Sequence, residues 1–217
     1  MVKIIYKGKN KEKIEKDILS AFDFVYKQFL IKTPDTIVKV FDTRLDFDNK
    51  IGWDTPDWLV AMADNNGKVI HILSPIALKN ESSHEAKEFI PILKHEFTHI
   101  FFTHLSDGSS EPMWLNEGLA AYIAKQHRHD KKIVIKSKFC KTISTSRDWN
   151  KMINHGAYAM SALFVYFLIN NYSFKKIKEL ISSLNKEYTY SSFKKIFLKV
   201  YNKDFEEIEE LFIKEND

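Results

Sequence analysis

Apolar residues at helical spacing dominate the beginning of the chain. Between residues 10 and 31 they are Ile14, Ile18, Phe22, Val25, Tyr26 and Phe29. This spacing lines one face of an amphipathic helix, and Thr33-Pro34-Asp35 predicts its end. A strand is predicted from Ile37 to Asp42, and a hairpin over 58–63 and 68–73 with its turn at Asn66-Gly67.

The second half of the chain has an almost entirely helical pattern. The next helix is predicted to begin at Pro91, or at about His84 with a kink at the proline. One further helix is predicted to carry Glu117 and to run to about 126, and others over 156–171, 174–184, 190–200 and 204–214. A short strand is predicted at Ile133-Val134-Ile135. The expected fold class is α+β. No linker or repeat separates the halves, so we expect one domain over 1–217, with a mixed α/β subdomain (1–107) and a helical subdomain (108–217).

Composition is that of an ordinary globular domain. The 217 residues are 44% hydrophobic and 29% charged, enough for a full core. The charge of +4 comes from dispersed lysines beside an acidic end (Asp204 to Glu210), which favours a solvated surface over a nucleic-acid partner. The sequence has neither a membrane-length apolar run nor a secretory h-region, and its single cysteine, Cys140, cannot form an internal disulfide. We therefore expect a cytoplasmic protein without a membrane or nucleic-acid partner; its oligomeric state is left open.

The chain contains His95-Glu96-Phe97-Thr98-His99, which is a metal-binding pattern. Two histidines four positions apart share one face of a helix, roughly 6 Å from each other, so both imidazoles can bind one zinc ion. Glu96 follows the first histidine and is placed to act as general base toward a zinc-activated water.

A catalytic zinc needs a third protein ligand, and two carboxylates are candidates. Glu117 lies in Trp114-Leu115-Asn116-Glu117-Gly118, a segment with the pattern of the next helix. Glu111 precedes Pro112 in a predicted loop, which makes it the weaker candidate. The ligand set predicted for one zinc per chain is His95, His99 and Glu117.

The pairing of HExxH with WLNEG resembles the gluzincin metallopeptidases, the clan of thermolysin and the aminopeptidase-N-type enzymes. This chain has one residue fewer between the two motifs than the aminopeptidase pattern, a difference that a surface loop can absorb. The resemblance implies a zincin-like fold with a small twisted sheet, an active-site helix and a zinc ion in the cleft between the subdomains. It also implies hydrolysis of peptide bonds, with Glu96 as general base.

A later segment extends this resemblance to small peptidase MA-like metallohydrolases. The run from Tyr158 to Leu168 is similar to the tyrosine-containing helix that follows the ligand glutamate in those proteins, and the likeness covers about 56–214. It implies that Tyr158 donates a hydrogen bond to the oxyanion of the reaction. Helix packing is the simpler role for Tyr158, and His155 is the competing donor, since thermolysin-type enzymes use a histidine.

The resemblance also implies that the substrate backbone lies along an edge strand. The predicted strand offers Trp58, Leu59, Val60, Ala61 and Met62 for this role. Aminopeptidases carry GxMEN here, whose glutamate holds the substrate amine, whereas this chain has Ala61-Met62-Ala63-Asp64-Asn65 without a glutamate in register. An endo- or oligopeptidase is therefore favoured, and Asp64 is either an amine anchor or a turn residue.

Three classes of function remain open from the sequence. The favoured one is a zinc peptidase whose partner is a peptide or protein substrate. The second is a regulatory or toxin domain that cleaves one specific protein. The third is an interaction domain that keeps the scaffold without catalysis.

Overall fold

The computed structural model describes residues 1–32, 34–64, 67–126, 139–152 and 156–216. The chain divides into two compact units, Met1–Phe101 and Phe102–Asp217. Strands are confined to the first unit among the described residues, and helices occur in both. The α+β class is therefore confirmed.

The first unit contains a four-stranded sheet. Its strands are β1 (Val2–Ile5), β2 (Thr36–Phe41), β3 (Ala61–Ala63) and β4 (Val69–Leu73), in the order β1-β2-β4-β3. β1, β2 and β4 run parallel, and β3 pairs antiparallel with β4, with Met62 opposite His71. The predicted hairpin is thus confirmed, and β3 forms one free edge of the sheet.

Helices connect the strands of this unit. They are α1 (Lys11–Phe29), α2 (Arg44–Ile51), α3 (Pro75–Glu81), a 3₁₀ turn (Ala86–Glu88) and α4 (Phe89–Leu105), which continues past the end of the unit. The 3₁₀ turn starts with a capping box, in which the side chains of Glu85 and Glu88 each accept from the other's backbone N–H. Pro91 lies in the first turn of α4, where no backbone N–H is required. The helix therefore begins at Phe89, between the two predicted starts.

The second unit is helical where it is described. Its helices are α5 (Met113–Ala124), α6 (Phe139–Thr142), α7 (Ser146–Met152), α8 (Ala157–Tyr172), α9 (Phe174–Ser182), α10 (Tyr190–Tyr201) and α11 (Phe205–Asn216). Its core is rich in aromatic rings, with Phe164, Phe193 and Phe205 fully buried. The helices predicted over 156–171, 174–184, 190–200 and 204–214 are confirmed to within a few residues. The strand predicted at Ile133-Val134-Ile135 lies outside the described residues.

None of the described helices is by itself long and apolar enough to cross a membrane. The bent pair of α7 and α8, which meet at 114°, passes that test together, by length and composition only.

His71 is a buried histidine in β4. Its ring is 9% exposed, stacks on Phe41 at 6.0 Å, and neither ring nitrogen has a hydrogen-bond partner among the described residues. Burial and, to a lesser extent, the charges of Lys39 and Lys50 lower its pKa from 6.5, and Asp64 opposes them. Folding therefore favours the neutral ring.

We predict that this histidine makes the protein less stable in acid. Below about pH 6.5 the unfolded chain binds a proton that the folded chain excludes, so the free energy of unfolding falls as the pH falls. Urea unfolding between pH 7 and pH 5 should show a shallower decline for His71→Leu than for the parent. His104→Leu, at an exposed position of α4, should keep the parent's decline. Equal declines in all three proteins would contradict this account.

Candidate metal centre

Helix α4 carries His95 and His99 on one face. The opposite face is held by aromatic packing against α1, with Phe22 at 5.3 Å from Phe97 and Phe29 at 5.3 Å from Phe101, ring centre to ring centre. The two imidazoles are half-buried, and their centres lie 4.7 Å apart at 79°. The i, i+4 spacing thus brings both rings to one place, as the sequence predicts.

Glu117 of α5 completes a group of three. One ligand atom from each of His95, His99 and Glu117 lies within 4.8 Å of the other two. Ligands of a tetrahedral zinc with bonds of about 2.0–2.1 Å are about 3.3 Å apart. The three ligand atoms would therefore have to approach one another by at most about 1.5 Å, which side-chain rotation can supply, to bind a metal. Two imidazoles and a 9% exposed carboxylate suit zinc in chemistry as well. The three residues could hold a metal ion.

Glu96 lies beside this group on α4 and is buried. Its Oε2 accepts a hydrogen bond of 2.7 Å from the backbone N–H of Ala63 in β3. The amide of Ala63 therefore holds the carboxylate, which extends from α4, against the edge strand. Because its other oxygen has lone pairs to spare, the carboxylate can also accept a proton from a water.

The WLNEG segment positions Glu117 through its other residues. The Asn116 side chain donates to the carbonyl of Ser110 at 3.0 Å, tying the preceding loop to the helix. Trp114 is fully buried and lies 5.2–5.9 Å, ring to ring, from Phe164, Phe193 and Phe205. Asn116 and Trp114 thus hold the segment that carries Glu117, one by a hydrogen bond and the other by packing.

Gly118 allows α5 to approach α8 closely. A Cβ at this position would lie 2.4 Å from the carbonyl oxygen of Ser161 and 2.9 Å from Val165. The backbone of Ser161 cannot move aside to make room, as the end of a flexible side chain could. The motif therefore needs glycine next to its glutamate.

We predict that Gly118→Ala destabilises the second unit and displaces the neighbouring ligand. Overpacking of this kind costs about 1–3 kcal/mol, and a shift of α5 moves Glu117 with it. Thermal melting should show the lower stability, and competition with a chelator should show weaker zinc retention. A variant that melts and binds zinc as the parent does would show that the two helices can separate freely at this point.

Two other potential ligands are engaged elsewhere. The Glu111 carboxylate accepts from the backbone N–H of Ser146 at 3.1 Å, and it is not in the group of three. Cys140 is fully buried, and burial together with Glu209 raises the pKa of its thiol well above the usual value. A thiol that resists ionisation is a poor zinc ligand.

The edge strand is shorter than the sequence predicts. It comprises Ala61–Ala63, whereas Trp58 and Leu59 lie in the preceding loop. Val60 precedes the strand, but its carbonyl accepts from Leu73 of β4 at 2.9 Å. In an antiparallel pair, every second residue directs its backbone N–H and C=O away from the partner strand. Because Val60 bonds to β4, the N–H and C=O of the next residue, Ala61, face the open edge.

Asp64 closes the turn after β3. Its Oδ1 accepts from the backbone N–H groups of Lys68 and Val69 at 2.7 and 2.9 Å. Of the two interpretations of Asp64, these contacts support the turn residue. Asn66 of the predicted turn lies outside the described residues.

Tyr158 lies in the first turn of α8 and is half-buried. Its ring packs edge-on against Trp149 of α7, with centres 4.9 Å apart. Ser161, one turn further along the same helix, has the carbonyl oxygen that a Cβ at position 118 would meet. The alternative donor His155 lies outside the described residues.

Two residues near the site were not expected from the sequence. Ala63 acts through its backbone N–H, which no side-chain pattern could indicate. Arg44 binds the loop before β3 from the start of α2, and a single arginine on a short helix carries no distinguishing signal. The only sequence sign of a role for Ala63 is its position as the last residue of the strand predicted over 58–63.

Comparison with known proteins adds no family to this description. No protein-family model matches the chain, and no curated protein matches it significantly.

Proposed function

We propose that this chain is a zinc-dependent peptidase of the gluzincin type, with a zincin-like fold, that cuts within peptide chains. The observation that carries the proposal is the contact between Glu96 and the N–H of Ala63, next to the group His95, His99 and Glu117. It joins a general base, a metal-binding group and the edge of a sheet. A metal-dependent hydrolase of extended peptides uses these three parts together.

The first step is binding of the peptide along β3. Ala61 offers both an N–H and a C=O at the open edge, so a substrate residue can pair with it as in a sheet. The N–H of Ala63 is already bonded to Glu96, so the carboxylate stands where the added strand passes. This arrangement brings the scissile bond to the general base.

The second step is hydrolysis. His95, His99 and Glu117 could hold a zinc ion, which would polarise the scissile carbonyl and lower the pKa of its bound water toward about 7. Glu96 accepts the proton of the attacking water and passes it to the departing amine. Its hydrogen bond to Ala63 keeps the carboxylate oriented during both transfers.

Tyr158 is proposed as the donor to the oxyanion. We predict that Tyr158→Phe lowers kcat by about 10²–10³, because a bond that strengthens only as charge develops contributes to turnover. The ring remains, so its packing on Trp149 and the zinc content should stay unchanged. If turnover stays within a few-fold of the parent while His155→Ala lowers it by orders of magnitude, His155 is the donor instead.

The absence of the GxMEN glutamate favours cleavage inside peptides over removal of N-terminal residues. A mixed set of peptides incubated with the zinc-loaded chain tests this proposal, with products identified by mass spectrometry. Internal cleavage that stops with a chelator and returns with zinc is expected. Zinc binding without any cleavage would contradict the proposed function, as would absence of zinc binding.

A further inference from the structure

The loop before β3 is held in place by side chains. The Arg44 guanidinium donates to the carbonyl of Leu59 at 2.6 Å, to that of Asp57 at 3.0 Å, and to Pro56 at 3.5 Å. It also donates to Thr55 Oγ1 at 2.8 Å. One planar, permanently charged group thus binds several points of a loop that has no regular structure.

The remaining carbonyl of the loop is held by a histidine. His84 Nε2 lies 3.0 Å from the Trp58 carbonyl, which can only accept, so this nitrogen donates. The other ring nitrogen of His84 faces the Glu88 carboxylate at 3.3 Å. The four consecutive carbonyls from Pro56 to Leu59 therefore all accept hydrogen bonds from side chains, and the backbone at Trp58 is fixed.

The Trp58 side chain is nevertheless 47% exposed. An indole that stays half in water on a fixed backbone loses little entropy when a partner covers it. Tryptophans of this kind are enriched among the residues that dominate binding energy. The fixed backbone and the exposed ring together describe a preformed binding surface.

The position of Trp58 relates this surface to the proposed site. Two residues separate it from Ala61, the start of β3, and Ala63, whose N–H binds Glu96, follows five positions after it. At about 3.3 Å per residue, Trp58 lies at most about 17 Å along the chain from that contact. A peptide that pairs with Ala61 thus runs toward Trp58 on one side of the scissile bond.

We propose that Trp58 determines specificity by packing against a large apolar side chain of the peptide substrate. That side chain lies within about five residues of the scissile bond, always on the same side. The inference rests on the proposed function and adds the substrate class: extended peptides with a bulky aliphatic or aromatic residue at one fixed position. Arg44 acts as a positioning residue, since it holds the loop that presents the indole.

The test compares cleavage profiles of a peptide library between the zinc-loaded parent and Trp58→Ala. The parent should prefer Leu, Phe or Trp at one position, and the variant should lose about tenfold or more in kcat/KM for those peptides. Peptides with Ala at that position should be cleaved equally by both. Trp53→Ala removes a similarly exposed indole (52%) outside the run of bound carbonyls and should keep the parent's profile.

A second variant tests the role of the loop. Arg44→Lys keeps the charge, but its compact ammonium cannot span the carbonyls of Asp57 and Leu59 as the planar guanidinium fork does. It should raise KM for the preferred peptides several-fold while leaving kcat and zinc content unchanged. A purely structural role of Arg44 would instead lower stability and zinc content without a selective rise in KM.

The outcomes separate this inference from the proposed function. If the parent cleaves peptides and Trp58→Ala keeps the same preference, the specificity role of Trp58 is wrong and the peptidase proposal stands. If Trp53→Ala changes the profile as much as Trp58→Ala does, the effect is not specific to the fixed loop, and the inference is overturned. If the zinc-loaded parent cleaves nothing, both proposals fail.

Discussion

Glu96→Gln should lower peptide hydrolysis by about 10²–10⁴ and leave the zinc content unchanged, because an amide cannot take the proton of the attacking water. Glutamine keeps an oxygen that can accept from the N–H of Ala63, so the local geometry should persist. Turnover on a peptide substrate and zinc content by elemental analysis are measured on the same sample. The two readouts separate chemistry from metal binding.

Thr98→Val is the matched control for this variant. Thr98 is buried on the same helix, and its hydroxyl donates to the carbonyl of Lys94 at 2.7 Å, within the helix itself. Its replacement should leave turnover within a few-fold of the parent. Full activity in Glu96→Gln would falsify the general-base role, and loss of zinc in that variant would show that Glu96 serves the metal site itself.

The second large effect concerns the third ligand. Glu117→Gln should weaken zinc retention by at least about 100-fold, since residues that only orient a ligand already account for 10–100-fold. Glu111→Gln should leave retention nearly unchanged, because its carboxylate caps Ser146 and lies outside the group of three. Competition with a chelator of known affinity measures both variants. A reversed ranking would mean that Glu111 is the ligand, and the gluzincin interpretation would fail with it.

The elements predicted from sequence are those with a long or regular pattern. Helix α1 has apolar residues at five buried positions along 19 residues. The hairpin β3–β4 was predictable because Asn66-Gly67 between its strands is a dipeptide that favours tight turns. β1 is four residues long and carries a lysine, so its pattern resembled a charged chain start. In α2 only Phe47 is buried, and one apolar position gives no periodicity.

The candidate metal group was predictable because its geometry is local. The spacing of His95 and His99 on one helix sets their separation, and the WLNEG motif identified Glu117 on the next helix. The contact between Glu96 and Ala63 joins residues 33 positions apart through a backbone donor, which the sequence does not mark. The apolar run from Trp58 to Ala63 resembled one strand. In the structure, however, the side chains of Arg44 and His84 bond the carbonyls of Leu59 and Trp58, which strand pairing would otherwise use.

We propose that one zinc ion on His95, His99 and Glu117 makes this chain a peptidase. Titration of the metal-free chain with zinc, followed by turnover of an internally cleaved peptide, tests it most directly. We predict that turnover rises in proportion to added zinc and levels off at one zinc per chain, while Glu96→Gln binds the same zinc and stays at the baseline. Turnover in the metal-free chain, or none at one zinc per chain, would contradict the claim.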